Sequence, residues 1–181
     1  MIVVSGTHAS GKTSLIDAFA SAHPAFEVLP DPYELLDDLD AGGGSFFRQL
    51  QIASARLLEA DGKTPVIAER GPLDFLAYLD ALETLGRPER APELFRRGVD
   101  LCREAMTLVD LLIVLPLDPR VPIHVPDDED PELRDAMDAA LLDLCEDDDL
   151  TGGSAVVELC GTREERLAQL EAVSSRGRPA G

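Results

Sequence analysis

Residues 6–13, which read GTHASGKT, constrain the fold of this chain more than any other stretch. They match the pattern G-x-x-x-x-G-K-[ST] at every fixed position. A short β-branched run at residues 1–5 precedes them, and a stretch of helical character at 13–20 follows. The pattern requires strand, glycine loop and helix in this order, so a chance match on a surface loop is the less favoured alternative.

The fixed positions of this loop carry the chemistry of phosphate binding. Gly6 and Gly11 let backbone N–H groups curl around a polyphosphate, and the N-terminus of the following helix adds its dipole there. Lys12 is placed to reach the β and γ oxygens, and the Thr13 hydroxyl to hold Mg²⁺. The loop therefore predicts a nucleoside triphosphate such as ATP, bound with Mg²⁺ by Gly6, Ala9, Ser10, Gly11, Lys12, Thr13 and Ser14.

The 181 residues favour a single α/β domain. Apolar runs predict five strands, at 2–5, 26–29, 66–68, 111–115 and 155–159. Helical patterns lie between them, at 32–40, 45–60, 72–85, 92–108, 131–145 and 163–173. This alternation predicts a three-layer fold in which helices flank a five-stranded parallel sheet. We expect the domain to span 1–173, with glycines 42–44 as a flexible break and 174–181 as a disordered tail.

Composition argues against several classes of function. A formal net charge of −19, without a visible basic patch, argues against nucleic acid as a partner. No apolar run approaches the length of a membrane span and no signal region opens the sequence, so we expect a cytoplasmic protein without membrane partners. The acidic clusters 127–130 and 146–149 lack the spacing of a calcium loop and favour solvated loops over a cation site.

Charged residues directly follow two of the predicted strands. Glu69, Arg70 and Asp74 come after the third strand, and Asp31 follows the second. The carboxyl ends of parallel strands share one edge of a sheet, where open α/β folds bind their ligands. Phosphoryl transfer needs groups that position an acceptor, neutralise charge and hold Mg²⁺. These four residues are therefore candidates for such chemistry.

Two motifs resemble those of the P-loop kinases of small molecules. One is the phosphate loop, and the other is acid-Arg-x-Pro-x-Asp-x-x-Ala-Tyr, which residues 69–78 match. The resemblance is to the deoxynucleoside and thymidylate kinase branch and to the related ATPase-like domain of nicotinamide riboside kinases. Residues 157–167 also look like the last strand, adenine-side loop and final helix of that group. The resemblance implies the P-loop NTPase fold and an ATP- and Mg²⁺-dependent kinase over most of the chain.

The resemblance also implies a role for individual residues. Glu69 would lie near Mg²⁺ with Thr13, Arg70 near the transferred phosphoryl group, and Asp31 would accept the proton of the substrate hydroxyl. Gly161 and Thr162 would complete the nucleotide site. The implied catalytic set is Lys12, Asp31, Glu69 and Arg70. The implied contacts to the acceptor come from Asp31, Tyr33, Arg70, Asp74, Tyr78 and Arg120.

Each role has a structural alternative. Asp31 is followed by proline and can simply cap the next helix. Glu69 and Arg70 can form a surface ion pair with each other. Tyr78 can serve packing alone, and His8, at a free position of the loop, is expected to face solvent.

The segment 116–131 would form a lid over the phosphates, and it is poor in arginine. Arg120 and Arg134 are the ones available, whereas lids of the resembled group carry several. The acidic surroundings favour a neutral or cationic nucleoside-like acceptor over a monophosphate. A P-loop ATPase or switch acting through a protein partner, and a non-catalytic nucleotide-binding protein, are the alternatives. An apolar stripe along 92–108 fits core packing better than a homodimer interface.

Overall fold

The computed structural model describes residues 1–35, 42–87, 90–118, 120–121 and 129–176. The strands of this part of the chain are β1 (Ile2–Ser5), β2 (Glu27–Leu29), β3 (Val66–Glu69), β4 (Leu111–Val114) and β5 (Ala155–Glu158). A 3₁₀ turn covers Pro32–Leu35. The α-helices are α1 (Lys12–Ala22), α2 (Gly43–Glu59), α3 (Pro72–Thr84), α4 (Ala91–Met106), α5 (Pro131–Leu144), α6 (Asp148–Thr151) and α7 (Arg163–Arg176).

All strands run parallel, in the order β2-β3-β1-β4-β5. β1 is central, and Ile2 aligns with Ile67 of β3 on one side and with Leu111 of β4 on the other. Helices cover both faces of a parallel sheet, which is why β1, β3 and β4 are nearly continuous apolar runs of buried residues. The predicted five-stranded parallel sheet is confirmed, and each strand lies within one residue of its predicted limits.

Helices on both faces of the sheet give the three layers that were predicted. On one face, Phe19 of α1 and Leu170 of α7 pack with Ile2 and Val4. On the other face, Val3 packs with residues of α2, α3, α4 and α5. Successive side chains of a strand point to opposite faces, so each buried strand contributes to both cores.

The helices lie within three residues of their predicted limits, and two of the differences, at the start of α2 and the end of α7, have a physical reason. Gly43 and Gly44 form the first turn of α2 and are not a flexible break. The first N–H groups of a helix have no intrahelical partner, so this turn depends little on regular bonding and tolerates glycine. α7 continues to Arg176, so the folded part of the chain extends beyond Val173. Residues 177–181 of the predicted tail lie outside the described residues.

The short helix α6 was not predicted. It begins after Asp147, whose side chain accepts the N–H of Asp149, so part of the acidic cluster 146–149 caps a helix. The 3₁₀ turn Pro32–Leu35 occupies the start of the helix predicted at 32–40. Residues 36–41, and residues 119 and 122–128 of the predicted lid, lie outside the described residues.

The apolar stripe of α4 belongs to the core. Leu94, Cys102, Ala105 and Met106 are buried, and the remaining members, Phe95, Val99 and Leu101, pack against the same cluster. The stripe therefore offers no free apolar face for a second copy of the chain. Among the described helices, none has the length and apolar character needed to cross a bilayer.

Candidate nucleotide and acceptor site

The phosphate loop joins β1 to α1 and turns on residues with positive φ. These are Gly6 at 151°, Ala9 at 49° and Gly11 at 91°. A Cβ atom on Gly6 would lie 2.8 Å from Ser10 Oγ and 2.9 Å from the Leu115 carbonyl oxygen. No side chain fits in that space, which explains why the first glycine of the pattern is required here.

Lys12 lies inside this loop and is only 4 % exposed. Its Nζ donates to the carbonyl oxygen of Thr7 at 2.8 Å and to Ser10 Oγ at 3.5 Å. Burial, followed by the charge of Arg70, lowers the pKa of Lys12 to about 7. An anion beside Nζ would favour the charged ammonium, so this lysine responds directly to a bound phosphate.

The two residues predicted to hold Mg²⁺ meet at the end of β3. Thr13 Oγ1 donates a 2.8 Å hydrogen bond to Glu69 Oε1. Burial raises the pKa of Glu69, against the opposing effect of the Lys12 charge. No cluster of three or more His, Cys, Asp or Glu side chains suited to a metal occurs among the described residues. A hydroxyl and one carboxylate fit Mg²⁺, which takes few protein ligands and completes its shell with water and phosphate oxygens.

Arg70 joins the phosphate loop to the end of β2. Its guanidinium donates from Nε to Asp31 Oδ2 at 2.7 Å and from a terminal nitrogen to the Gly6 carbonyl oxygen at 3.1 Å. The residue is 3 % exposed and has a left-handed backbone, with φ at 63°. Strained backbone of this kind persists only where surrounding contacts fix it, and it concentrates at functional sites. The alternative of a surface ion pair between Glu69 and Arg70 is wrong, because Arg70 is buried and pairs with Asp31.

The carboxylate of Asp31 caps the turn that follows it and also pairs with Arg70. Its Oδ1 accepts the N–H of Tyr33 at 3.0 Å, which starts the 3₁₀ turn, and its Oδ2 accepts from Arg70. Its side chain is 14 % exposed, so one edge of the carboxylate remains accessible. Tyr33 is 51 % exposed and its ring lies 6.3 Å from that of His8, edge to face. The turn that Asp31 begins therefore brings Tyr33 beside His8 of the phosphate loop.

Asp74 is enclosed by the protein. Its side chain is 0 % exposed, and its Oδ1 accepts the Gly6 N–H at 2.9 Å. Its Oδ2 accepts from Ser5 Oγ at 2.6 Å and from the Gly71 N–H at 2.9 Å. The expectation that Asp74 contacts an acceptor conflicts with this burial. The residue instead ties the start of α3 to the phosphate loop.

Tyr78 and His8 also differ from expectation. Tyr78 is 1 % exposed, stacks on Phe46 at 4.4 Å between ring centroids, and so serves packing. Its hydroxyl lies 2.6 Å from His8 Nδ1, and the same nitrogen lies 3.2 Å from Glu129 Oε1. His8 is therefore not a solvent-facing filler, because its ring is held by a tyrosine that lies 70 residues away along the chain.

Two further predicted positions lie at the periphery of the loop. Arg120 pairs with Asp118 at 2.9 Å, and its side chain is 82 % exposed. Gly161 has a φ of 98° and precedes Thr162, whose N–H donates to Glu165 Oε2 at 2.8 Å. This reciprocal pair begins α7, since Glu165 N–H donates back to Thr162 Oγ1 at 3.3 Å.

Two arginines that contact the loop were not among the predicted site residues. Arg134 of α5 donates to the carbonyl oxygens of His8 and Ala9. Arg166 of α7, which is 4 % exposed, donates to the Ser10 carbonyl oxygen at 2.7 Å. Both contacts join residues more than 120 positions apart in the chain, so no local pattern indicates them.

Comparison with known proteins agrees with the fold. No curated protein matches the sequence. The fold is similar to deoxyadenosine kinase from M. mycoides, with a TM-score of 0.70 and 11 % identity over 98 % of this chain and 99 % of that one. It is also similar to thymidylate kinase from Candida albicans, with a TM-score of 0.67 and 14 % identity over 97 % and 92 %. A family model described as an AAA domain matches residues 1–166, so the chain belongs to that family and has the fold of the P-loop deoxynucleoside and thymidylate kinases.

Proposed function

We propose that this protein is an ATP- and Mg²⁺-dependent kinase that transfers a phosphoryl group to a hydroxyl of a small, nucleoside-like acceptor. The observation that carries the proposal is the Asp31–Arg70 pair, whose arginine also binds the Gly6 carbonyl of the phosphate loop. This pair holds a carboxylate beside the loop, where an acceptor hydroxyl would have to lie.

Asp31 would act as the general base and Arg70 as its positioning partner. A general base must lie within hydrogen-bond reach of the proton that it takes. Oδ2 is held by Arg70 and Oδ1 by the Tyr33 N–H, so the carboxylate is fixed in orientation. Preorganisation of this kind contributes to the rate because no reorientation is needed during the reaction.

An uncharged acceptor fits the site better than a monophosphate. Arg70 is buried and pairs with two carboxylates, Asp31 at 2.7 Å and Asp74 at 3.8 Å, so it does not present an unpaired cation to an acceptor phosphate. Asp31 adds negative charge at the same place, and Arg120 is paired with Asp118. A second phosphate would therefore meet repulsion, whereas a nucleoside hydroxyl would not.

Mg²⁺ is the metal that Thr13 and Glu69 fit. When bound, it would neutralise charge on the β- and γ-phosphates. The Thr13 hydroxyl would hold it directly and Glu69 through water, since the two side chains lie together at the carboxyl end of β3. Lys12 would contribute its charge to the same phosphates from inside the loop.

Acceptor-dependent release of ADP from Mg-ATP tests the proposal. The panel contains nucleosides, nucleoside monophosphates and cationic small alcohols, and the variants are Lys12→Ala and Asp31→Asn. We expect nucleosides to stimulate ADP release, Lys12→Ala to abolish it, and Asp31→Asn to lower it by about 10²-fold or more. Asp100→Asn, the same change on the exposed side of α4, is the matched control and should retain full activity.

Each outcome has a clear meaning. ATP binding without stimulation by any acceptor would overturn the kinase proposal and favour a switch or a non-catalytic protein. Stimulation by monophosphates in preference to nucleosides would overturn the choice of a neutral acceptor. Unchanged turnover in Asp31→Asn would remove Asp31 from the mechanism.

A further inference from the structure

Cationic side chains donate hydrogen bonds to the carbonyl oxygens of the first five residues of the phosphate loop. The carbonyl groups of five consecutive residues, Gly6 to Ser10, each accept a hydrogen bond from a lysine or an arginine. The donors are Arg70 to Gly6 at 3.1 Å, Lys12 to Thr7 at 2.8 Å, Arg134 to His8 at 3.0 Å and to Ala9 at 3.3 Å, and Arg166 to Ser10 at 2.7 Å. We call these four side chains the cationic collar.

The collar fixes the direction of the N–H groups of the loop. In a trans peptide the carbonyl of one residue and the N–H of the next point in opposite directions, and no cis bond occurs in the described residues. Carbonyls held by the collar therefore turn the N–H groups of residues 7–11 to the other side. Within the described part of the chain, the N–H groups of residues 7, 8, 9 and 11 donate to no protein acceptor, whereas residues 8–9 form a turn that engages the Ser10 N–H. Converging N–H groups of this kind form an anion-binding nest.

The collar also concentrates positive charge in a strongly acidic protein. The chain has a formal net charge of −19, yet Lys12, Arg70 and Arg166 are each at most 4 % exposed around this one loop. Buried charges are costly unless they are paired. Arg166 Nε is buried and has no hydrogen-bond partner among the described residues, so the arginine is incompletely compensated by protein groups. A polyanion on the other side of the loop would supply the missing negative charge.

We propose that Arg134 and Arg166 are positioning residues for a polyphosphate ligand, acting through the loop carbonyls from behind. This inference rests on the proposed function, because it assumes that the loop binds a triphosphate. Arg134 comes from α5, just after the predicted lid segment 116–131, and Arg166 comes from α7. They provide the charge and the loop orientation that an arginine-poor lid segment does not.

This arrangement predicts a dependence on ligand charge. A purely structural role would lower stability and weaken every ligand alike. A collar that orients N–H groups and supplies charge affects the phosphate part of the ligand only. Loss of either arginine should therefore weaken tripolyphosphate most, ADP less, and adenosine not at all.

Isothermal titration of the full chain without Mg²⁺ tests this prediction, with sodium tripolyphosphate, ADP and adenosine as probes. The variants are Arg134→Gln and Arg166→Gln. Arg103→Gln is the control, because Arg103 on α4 has the same charge but pairs only with an exposed group, Asp149, at 3.9 Å. We expect each collar variant to bind tripolyphosphate about tenfold or more weakly. The control should bind like the wild type.

Conservative variants separate positioning from folding. Arg134→Lys and Arg166→Lys keep one charged donor each, so both should recover most of the affinity lost with glutamine. Arg134 is half-buried, so Arg134→Gln is expected to fold even if Arg166→Gln does not. Thermal unfolding of every variant gives the structural effect independently of binding.

The outcomes distinguish this inference from the proposed function. Wild-type protein that binds neither tripolyphosphate nor ATP would overturn both. Wild-type binding of tripolyphosphate with equal affinity in the folded glutamine variants, Arg134→Gln above all, would overturn the collar alone and leave the kinase proposal intact. An equal loss for all three probes would also overturn it, because that result assigns the arginines a structural role only.

Discussion

Replacement of Asp74 by asparagine tests how firmly the phosphate loop is anchored to the start of α3. The change removes one charge and little volume from a side chain that is 0 % exposed. Oδ1 accepts the Gly6 N–H, and Oδ2 accepts the Gly71 N–H and the Ser5 hydroxyl. An amide has a single acceptor oxygen, so its NH₂ group must face at least one backbone N–H in either orientation. A buried N–H without an acceptor costs about 1–3 kcal/mol.

We expect the free energy of unfolding to fall by about 2 kcal/mol, because loss of the buried charge also relieves part of the desolvation cost. Urea unfolding at pH 7 measures it, with Glu83→Gln, the same chemical change at an exposed position of α3, as the control. An Asp74→Asn protein as stable as the wild type would refute the reasoning.

A second measurement compares how the stabilities of the wild type and of Asp74→Asn depend on pH. Burial raises the pKa of Asp74 above its ordinary value of 3.8. A carboxyl with a raised pKa stabilises the fold most below pH 3.8, and this contribution is lost as the pH rises through the folded-state pKa. The difference in stability between wild type and Asp74→Asn should therefore narrow from acid to neutral pH. A difference that widens would contradict the assignment.

Two further changes test other parts of the structure. Gly152→Ala should lower the free energy of unfolding by about 3 kcal/mol or more, because its Cβ would lie 2.5 Å from backbone atoms of Met106. Gly153→Ala, also at positive φ but in open space, should lose only about 1 kcal/mol in the same urea titration; equal losses would exclude the steric cause. Burial, then the charge of Arg70, lowers the pKa of His8 from 6.5 to about 3. The wild type should therefore lose stability as the pH falls through that range, and this loss should be absent from His8→Gln. Thermal unfolding of both proteins at pH 7 and pH 4 measures this difference, which solvent reduces because the His8 side chain is 36 % exposed. The same pH dependence in the wild type and in His8→Gln would contradict the prediction.

The sheet and the loop could be predicted because their signals are local. β1, β3 and β4 are buried on both faces, so their apolar runs stand out from the helices between them. The glycine pattern likewise encodes its own geometry, as the close approach at Gly6 demonstrates. Glu69 ends β3 and Asp31 lies two residues after β2, and the parallel order brings both to one edge of the sheet.

The remaining features depend on contacts between distant residues. His8 appears free in the sequence, but Tyr78 approaches it through the packing of α3. Asp74 appears to be one more charge at the sheet edge, yet the turn into α3 encloses it completely. Neither the position of α5 nor that of α7 over the loop can be read from local composition, so the contacts of Arg134 and Arg166 stay hidden until the helices are packed.

The position of β1 in the sheet has a consequence for how the chain folds as it is made. β1 is synthesised before the other strands, but it is the central strand, and its neighbours β3 and β4 begin only at Val66 and Leu111. At a synthesis rate of about 5–20 residues per second, roughly 10 s pass between the synthesis of β1 and that of β4, its second neighbour in the sheet. Pairing over such separations is slow, because loop closure must precede the stabilising contacts. The yield of folded protein therefore depends on how well this first strand is shielded from other nascent chains.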